Sequence, residues 1–462
     1  MSLSFFNTSL SGLSAAMKNI QVTSHNISNV NTPGYSRQQA ISINKTGIKY
    51  GNLNIGQGVE IKYINRIRNE YLDEQFRKSN EHLGYYETMQ EGYSKIENLF
   101  GEPSDTSISS IVNEFWNSLS ELSKNPESTA SRNVVIQATK NMINSMSRLN
   151  ANLKSLSNQY TSSIEVSVEN INSLSNKIHL LNEKINESEV TGQIASDLRD
   201  QRDNAIDELS KLINIDVYDD SKGGKTITIG GRLLVGEGIS NKIEIERDNT
   251  TNTMSIFLSS SLETLDLKNG QLASLLELKN SIIPNVIDKM NTYIASIANE
   301  FNAIHKNGFG LDGSTNLDFF VSKDGGPINI ENITINPDII SDPNKFAAST
   351  NAIHLGDNEN LRNLIDLKNQ KLIEISPNVN VTFSDYYVNL ITGIGVQSET
   401  SNTLLETHSN NLKVIDLNRM SVHGVSLDEE ITNLSAYQHA YSANARMISV
   451  LDEMLETLIG MV

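Results

Sequence analysis

Side chains that could do chemistry are few in this sequence, and their spacing does not suit catalysis. The chain has 462 residues with 8 His and no Cys, which excludes disulfides, thiolate nucleophiles and Cys-ligated zinc. No HExxH pair, GxSxG elbow or GxxxxGK[ST] loop occurs. The stretch from Asp312 to Asp318 lacks an acidic or amide side chain at the third position of a calcium loop, so we interpret it as a turn. We therefore predict no enzyme, no cofactor and no metal site.

One dense group of charges remains, formed by Asp197, Arg199, Asp200, Arg202 and Asp203. Steps of three and four residues would place these side chains side by side on a helix. Two interpretations stay open. The group forms surface ion pairs worth about 0.3–0.5 kcal/mol each, or it joins two domains.

Charge and composition limit the partners. Lys+Arg 37 against Asp+Glu 55 gives a net charge of -18, which disfavours nucleic acid and anionic membrane surfaces. No apolar run of about 18 residues is present, and the first residues lack the pattern of a secretory signal peptide. With 8 Pro and 27 Gly, the composition favours long helices, and we expect an elongated molecule.

Those helices include both ends of the chain. Apolar residues recur there at alternating steps of three and four, the spacing of a coiled-coil stripe. The first stripe contains Leu3, Phe6, Leu10, Leu13, Met17, Ile20 and Ile27, with Ser24 as its polar member. The last contains Leu427, Ile431, Leu434, Gln438, Tyr441, Ala445, Ile448, Leu451, Leu455 and Leu458. The polar members Gln438 and Tyr441 either set the register of an assembly or face solvent.

Each terminal helix is marginal alone. Burying seven apolar side chains provides roughly 10–20 kcal/mol, whereas ordering about 28 residues costs on the order of 1–2 kcal/mol for each residue. Something else must cover the stripes, either the opposite terminus or copies of the same chain. We expect the terminal helices to stay unpaired until copies assemble.

A turn-rich segment follows the first helix. Its residues suit the end of a helix and a type II turn with Pro at the second and Gly at the third place. They are Asn26, Asn29, Asn31, Thr32, Pro33, Gly34 and Tyr35. His25 lies beside them, and we interpret it as a hydrogen-bonded surface residue rather than a pH sensor.

The stretch SLSGLSAAMKNIQVTSHNISNVNTPGYSRQ resembles the N-terminal signature of the bacterial flagellar rod, hook and hook-associated axial proteins. The last 39 residues, GVSLDEEITNLSAYQHAYSANARMISVLDEMLETLIGMV, resemble the C-terminal signature of the same family in its hook-filament junction form. The stretches at 197–203 and 308–320 agree with that form. Within 216–266 the resemblance is weak.

We predict a mainly α, α+β fold with terminal coiled-coil helices. The period changes to alternation after Ile215, which predicts a small antiparallel β domain at 216–266. By the resemblance, residues 1–45 and 425–462 form the terminal domain, and residues 46–215 and 267–424 form a helical rod-like domain with short β segments. We expect the β domain at the far end from the joined termini. Helix is expected from about 360 to the end, with a break near Gly424.

The resemblance implies a structural adaptor of the flagellum that assembles on the hook tip. Its implied partners are further copies, hook protein, a second hook-filament junction protein, and an export chaperone on the C-terminal helix. It also implies an extracellular location after export through the flagellar type III apparatus. Three alternatives stay open: the hook protein itself, a secreted coiled-coil adhesin, and a hydrolase within 216–350.

Overall fold

The structure is a computed structural model that describes residues 2–50, 53–104, 106–190, 192–220, 222–248, 250–261, 263–354 and 356–460. The side chains of residues 2–4, 50, 53, 54 and 458 are outside this description. Helices make up most of the chain, and the sheets are small and antiparallel. The predicted fold class is therefore confirmed.

Eleven α-helices are assigned within the described residues. They are α1 (Ser2–Ser28), α2 (Glu70–Phe100), α3 (Ile108–Lys124), α4 (Thr129–Glu189), α5 (Ser196–Leu212), α6 (Gln271–Glu277), α7 (Ile283–His305), α8 (Pro337–Ser341), α9 (Glu359–Asp366), α10 (Phe383–His423) and α11 (Leu427–Gly460). A π-helical turn at Leu278–Ile282 joins α6 to α7.

The strands form short hairpins and one four-stranded sheet. They are β1 (Gln38–Asn44), β2 (Ile48–Tyr50), β3 (Leu53–Ile55), β4 (Val59–Arg66), β5 (Asp216–Asp219), β6 (Lys225–Ile229), β7 (Arg232–Gly236), β8 (Ile239–Ser240), β9 (Ile243–Asp248), β10 (Thr253–Leu258), β11 (Phe320–Ser322), β12 (Ile333–Ile335), β13 (Ile373–Ser376) and β14 (Val379–Val381). The four-stranded sheet has the order β5-β6-β7-β8.

The helical body forms because its apolar stripes cover one another. Ser128 caps α4 by accepting a hydrogen bond from the Ser131 amide. The apolar residues of α4 at steps of three and four are buried against α3, α5 and α6. The members of this buried stripe are Met142, Met146, Leu149, Leu153 and Leu156.

Helix ends fall close to the predicted breaks. The predicted helical tract from 129 to 213 divides into α4 and α5, and Gly192 between them has φ +80, a value that favours glycine. α10 ends at His423, next to the expected break at Gly424. One expectation is wrong: helix is not continuous from 360, because the β13–β14 hairpin separates α9 from α10.

Asparagine side chains attach the β region to the helices. Asn172 and Asn182 of α4 each bond both the amide and the carbonyl of one strand residue, Ile243 and Lys225 respectively. Asn280 likewise forms hydrogen bonds with both the amide and the carbonyl of Met254 in β10. An amide side chain carries one acceptor and two donors, so it can replace a neighbouring strand.

The β region is not at the far end from the termini, which corrects that expectation. Lys225 reaches Glu70 at the start of α2, 3.3 Å away, so β6 lies beside the base of the terminal region. The opposite end of the body instead holds an aromatic cluster supplied by α3, α7 and the segment 319–346. Its phenylalanines are Phe115, Phe301, Phe319, Phe320 and Phe346.

The terminal region is larger than predicted. β1 pairs with β4 from Gln38↔Arg66 to Asn44↔Val59, and both strands lie against α1. A domain boundary at residue 45 would separate these paired strands, so that boundary is wrong. The terminal region comprises α1, α11 and the strands between residues 38 and 66.

Candidate assembly interface

The two terminal helices form an antiparallel pair within one chain. Gly12 lies against the side chain of Asn444, and Asn26 donates to Glu430 Oε2 over 3.1 Å. The expectation that both helices stay unpaired until copies assemble is therefore corrected. Each terminal helix covers part of the apolar stripe on the other helix and leaves the rest exposed.

On α1 the predicted stripe separates into two columns with a period of seven. One column is half-buried, and its members are Phe6, Leu13, Ile20 and Ile27. The other column faces outward, with Leu10 47% and Met17 50% exposed. The side chain of Leu3 is outside the described part of the structure. One chain therefore covers only one edge of the predicted stripe.

The stripe on α11 divides in a similar way. Its half-buried members are Leu434, Ala445, Ile448, Leu451 and Leu455. Leu427, Ile431, Gln438 and Tyr441 are exposed, and the side chain of Leu458 is outside the description. The two polar members therefore face solvent in the single chain, where they are available to a neighbour.

Sequence reasoning missed a second apolar stripe on another side of α11. Its members step by 4-3-4-3-4 residues and are exposed throughout: Ala436, Ala440, Ala443, Met447, Val450 and Met454. The same period that revealed the first stripe would have revealed this one. Three of its positions are alanine, which weakens the hydrophobic signal although it permits close helix contacts.

The face of α1 that is most deeply buried carries small residues. Ser11, Ala15, Ala16 and Val22 are buried between α11 and the β1–β4 hairpin. Ser11 Oγ accepts a hydrogen bond from the Val59 amide at the start of β4. Small side chains allow the hairpin to approach closely, and the larger apolar residues consequently point elsewhere.

The predicted turn residues cooperate around Asn26. Its side chain bonds both the amide and the carbonyl of Gln38, which fixes the start of β1. Tyr35 donates to Asn26 Oδ1 over 2.8 Å and accepts from His25 Nδ1. Tyr35 N also donates to Thr32 O.

The remaining turn residues have local roles. Gly34 has φ +72, as the third place of a type II turn requires, and a Cβ there would meet Asn204 of α5. Asn29 bonds the His25 carbonyl and accepts from Thr32. Pro33 and Asn31 are exposed.

The charge group on α5 joins the terminal region to the helical body. Ser36, directly after the turn, donates its amide and its hydroxyl to Asp200 over 2.9 and 2.7 Å. Arg66 at the end of β4 contacts Asp200 at 2.7 Å and Asp203 at 2.9 Å. The charge group therefore joins two domains, which was the second of the two interpretations, and does not form isolated surface ion pairs.

Further arginines take part in this connection between domains, and we call the whole group of charges the anchoring cluster. Arg419 near the end of α10 contacts Asp73 and Asp207 and stacks on Phe76 at 4.1 Å. The members of the anchoring cluster are Arg66, Arg68, Arg77, Arg202, Arg419, Asp73, Asp200, Asp203 and Asp207. The anchoring cluster thus connects α2, α5, α10 and β4 through ion pairs.

Burial by itself would raise the pKa of Asp203, but Arg202, Arg68 and Arg66 hold it well below its usual range. The pKa of Asp73 is lowered as well, since Arg68 and Arg419 outweigh the effect of burial. A carboxylate with a lowered pKa in the folded state stabilises the fold above its unfolded pKa. That contribution is present at neutral pH and is lost only as the pH falls below the usual carboxylate range.

The described residues contain no group of three or more His, Cys, Asp or Glu able to hold a metal ion. No helix in the described part of the chain is long and apolar enough to cross a membrane. The terminal pair presents outward apolar columns and is joined to the body through Ser36, Arg66, Asp200 and Asp203. Such an arrangement can bind other helices.

Comparisons with known proteins agree at three places along the chain. Residues 6–35 match the family described as flagella basal body rod protein, and residues 418–461 match the flagellar basal body rod FlgEFG protein C-terminal family. Residues 93–320 match the flagellar hook-associated protein FlgK helical domain. The matched ends coincide with the terminal pair and its turn. They place the chain in the class of flagellar axial proteins.

Curated relatives that align with nearly the whole chain share one name. Flagellar hook-associated protein 1 of Bacillus subtilis is 28% identical, with 98% of this chain and 97% of the relative covered. The proteins of the same name from Salmonella typhimurium and Escherichia coli are each 24% identical, with 99% of both chains covered. Over nearly its whole length the chain is similar to flagellar hook-associated protein 1.

A solved structure supports the fold. The flagellar hook junction protein FlgK from Burkholderia pseudomallei matches with a TM-score of 0.65 at 13% identity, covering 75% of this chain and 100% of that one. At that identity the match speaks for the fold alone. The family relatives are flagellar structural proteins, and this chain is a structural protein of the hook-filament junction.

Proposed function

We propose that the chain is a non-enzymatic adaptor that assembles on the hook tip and allows the filament to grow from it. The observation that carries the proposal is the pair of outward columns at Leu10, Met17 and Ile431, beside half-buried columns covered by the chain itself. One molecule satisfies half of each stripe. Identical neighbours would cover the rest.

Each side chain of the outward columns would add a modest free energy to the contact between copies. A half-exposed Leu or Met would gain roughly half of the 1.5–3 kcal/mol that full burial provides. The second stripe on α11, around Met447, Val450 and Met454, would extend the same contact to another neighbour. Gln438 and Tyr441 would fix the register, because a polar residue in such a stripe disfavours shifted alignments.

The same exposed stripes suggest the other partners. Apolar residues along α11 would need cover before assembly, which supports an export chaperone on the C-terminal helix. The hook protein and a second hook-filament junction protein would contact opposite ends of the assembly. We place the protein outside the cell after type III export, with neither nucleic acid nor membrane among its partners, in keeping with its net charge of -18.

The test uses Leu10→Glu combined with Met17→Glu in cells that lack the native gene. We expect hooks without filaments and shed, unpolymerised flagellin, because buried carboxylates in the shared seam are costly. The control is Lys18→Gln at an exposed position on the same helix, which lowers the charge by one, whereas the double variant lowers it by two. It should restore filaments fully.

Three outcomes would contradict this adaptor role. Normal filaments with the double variant would remove the outward columns from the interface. Absence of hooks after loss of the gene would select the hook protein. A turnover signal abolished by one substitution within 216–350 would select the hydrolase.

A further inference from the structure

The outer edge of β5 borders a groove that the assembly stripes do not use. β5 pairs with β6 on one side only. On its other side lies a groove of 890 Å³ between β5, the beginning of α2 and the end of β4. The edge of a sheet carries main-chain donors and acceptors that can pair with another strand.

The main-chain groups that face the groove can be identified. Asn182 bonds both the amide and the carbonyl of Lys225, so these groups point away from β5. Lys225 stands opposite Asp219, which makes the two a non-hydrogen-bonded pair. The amide and carbonyl of Asp219 therefore point outward into the groove. Because the pattern repeats every two residues, those of Val217 and Ile215 do so too.

Of these three residues, Ile215 alone has its outward main-chain groups bonded to side chains among the described residues. Glu81 accepts from the Ile215 amide over 2.9 Å, and Lys78 donates to the Ile215 carbonyl over 2.9 Å. Among the described residues, nothing is bonded to the outward groups of Val217 and Asp219. Other strand edges of this region are covered by Asn172 and Asn280, as described above. The edge of β5 is left ready for a strand.

The groove is lined by both basic and acidic side chains, and its most exposed charges are acidic. The side chains of Glu70 and Asp219 are 75% and 58% exposed, and that of Asp216 is 46% exposed. Lys225 is largely buried beneath Glu70 and Asp219. Lys78, 45% exposed, lies on the same rim and pairs with Asp216 at 3.0 Å, so Glu70 and Asp219 provide the excess outer charge. An extended segment that carries lysine would complement this rim.

We propose that this groove receives strand β2 of a second copy of the chain. The segment from Asn44 to Gly58 carries Lys45 and Lys49 and no acidic residue. Within the described residues β2 pairs with β3 alone, so its outer edge is open, and Ile48 is 55% exposed. Strand addition would pair these two open edges. The inference rests on the proposed function only in that assembly brings copies side by side.

The test measures binding of a labelled peptide of residues 44–58 to the full-length protein by fluorescence anisotropy. We expect saturable binding that weakens at least tenfold when Lys45 and Lys49 are both replaced by Glu, or when Lys49 is replaced by Pro. Hydrogen exchange at the Val217 and Asp219 amides should slow when the peptide binds. The Tyr218 amide, which already bonds β6, should change little.

A protein variant tests the edge directly. Val217→Pro removes an amide that points into the groove and leaves the β5–β6 bonds in place, so binding should fall at least tenfold. Asp219→Asn keeps the edge and alters only the rim, so its weaker effect should vanish at high salt. If Val217→Pro does not fold, the exchange measurement on the native protein decides.

Absence of binding by the 44–58 peptide, or unchanged exchange at Val217 and Asp219, would overturn the proposal. Binding that the Glu and Pro peptides retain would overturn it as well. These measurements use single molecules in solution, so they fail or succeed independently of filament growth in the Leu10 and Met17 variant.

Discussion

The terminal pair and the helical body share one sequence pattern and differ in what covers it. In α4, Met142, Met146 and Leu153 are fully buried, whereas Leu10 and Met17 of α1 are about half exposed. Both sets recur at steps of three and four. Periodicity therefore identifies the apolar face of a helix, while the identity of its cover depends on how many neighbours the fold supplies.

The difference has a structural source. The body surrounds α4 with α3, α5 and α6, whereas among the described residues α1 packs mainly against α11 and the β1–β4 hairpin. The hairpin takes the small-residue face of α1, and α11 takes one column of the large residues. The remaining column, Leu10 and Met17, stays about half exposed. A helix near a chain end can thus carry an interface that one subunit does not complete.

The largest effect on the contact between the terminal pair and the helical body is expected from Asp203→Asn in the anchoring cluster. Removing this buried charge takes from Arg202 its carboxylate partner and from Arg66 and Arg68 one of theirs, so we expect a loss of about 3–5 kcal/mol in the free energy of unfolding. Denaturant titration measures it. Asp197→Asn on the same helix is the control, since that side chain is 62% exposed. A cost below about 1 kcal/mol for Asp203→Asn would mean that the cluster does not hold the regions together.

A second experiment compares the two stripes directly. Leu153→Ala should lower the free energy of unfolding by about 2–5 kcal/mol, because it leaves a cavity in a closed core. Leu10→Ala should change it by about 0.5 kcal/mol or less, since an exposed side chain leaves no cavity. Both are measured on the single chain by urea unfolding. Equal losses would show that the α1 stripe is already covered in the monomer.

A smaller effect than that of Asp203→Asn or Leu153→Ala is expected at the turn. Asn26→Ala removes the partners of the Gln38 amide and carbonyl, which costs about 1–3 kcal/mol for an unsatisfied buried group. We expect faster hydrogen exchange at Gln38 and earlier proteolysis within the terminal pair, with the helical body unchanged. Asn31→Ala, at an exposed position of the same turn, serves as the control. Faster exchange throughout the body would instead indicate a global loss of stability.

Much of the local structure could be predicted from the residues. Turn chemistry at Thr32 to Tyr35 and the break at Gly192 depend on neighbours in sequence, and the structure shows both. The change of period after Ile215 likewise marks the start of β5. The domain boundary at 45 failed because β1 pairs with β4 across a 14-residue connection, and local alternation does not report its partner.

The amino-acid sequence by itself determined where helices and strands form and which of their faces are apolar, because propensity and periodicity act over a few residues. Tertiary structure alone decided which column of α1 is covered and that Asp200 bonds Ser36 164 positions earlier. It also decided that the second stripe of α11 stays open. These outcomes depend on the approach of distant segments, and the packing of small residues against the hairpin fixes the rotation of α1 between its neighbours.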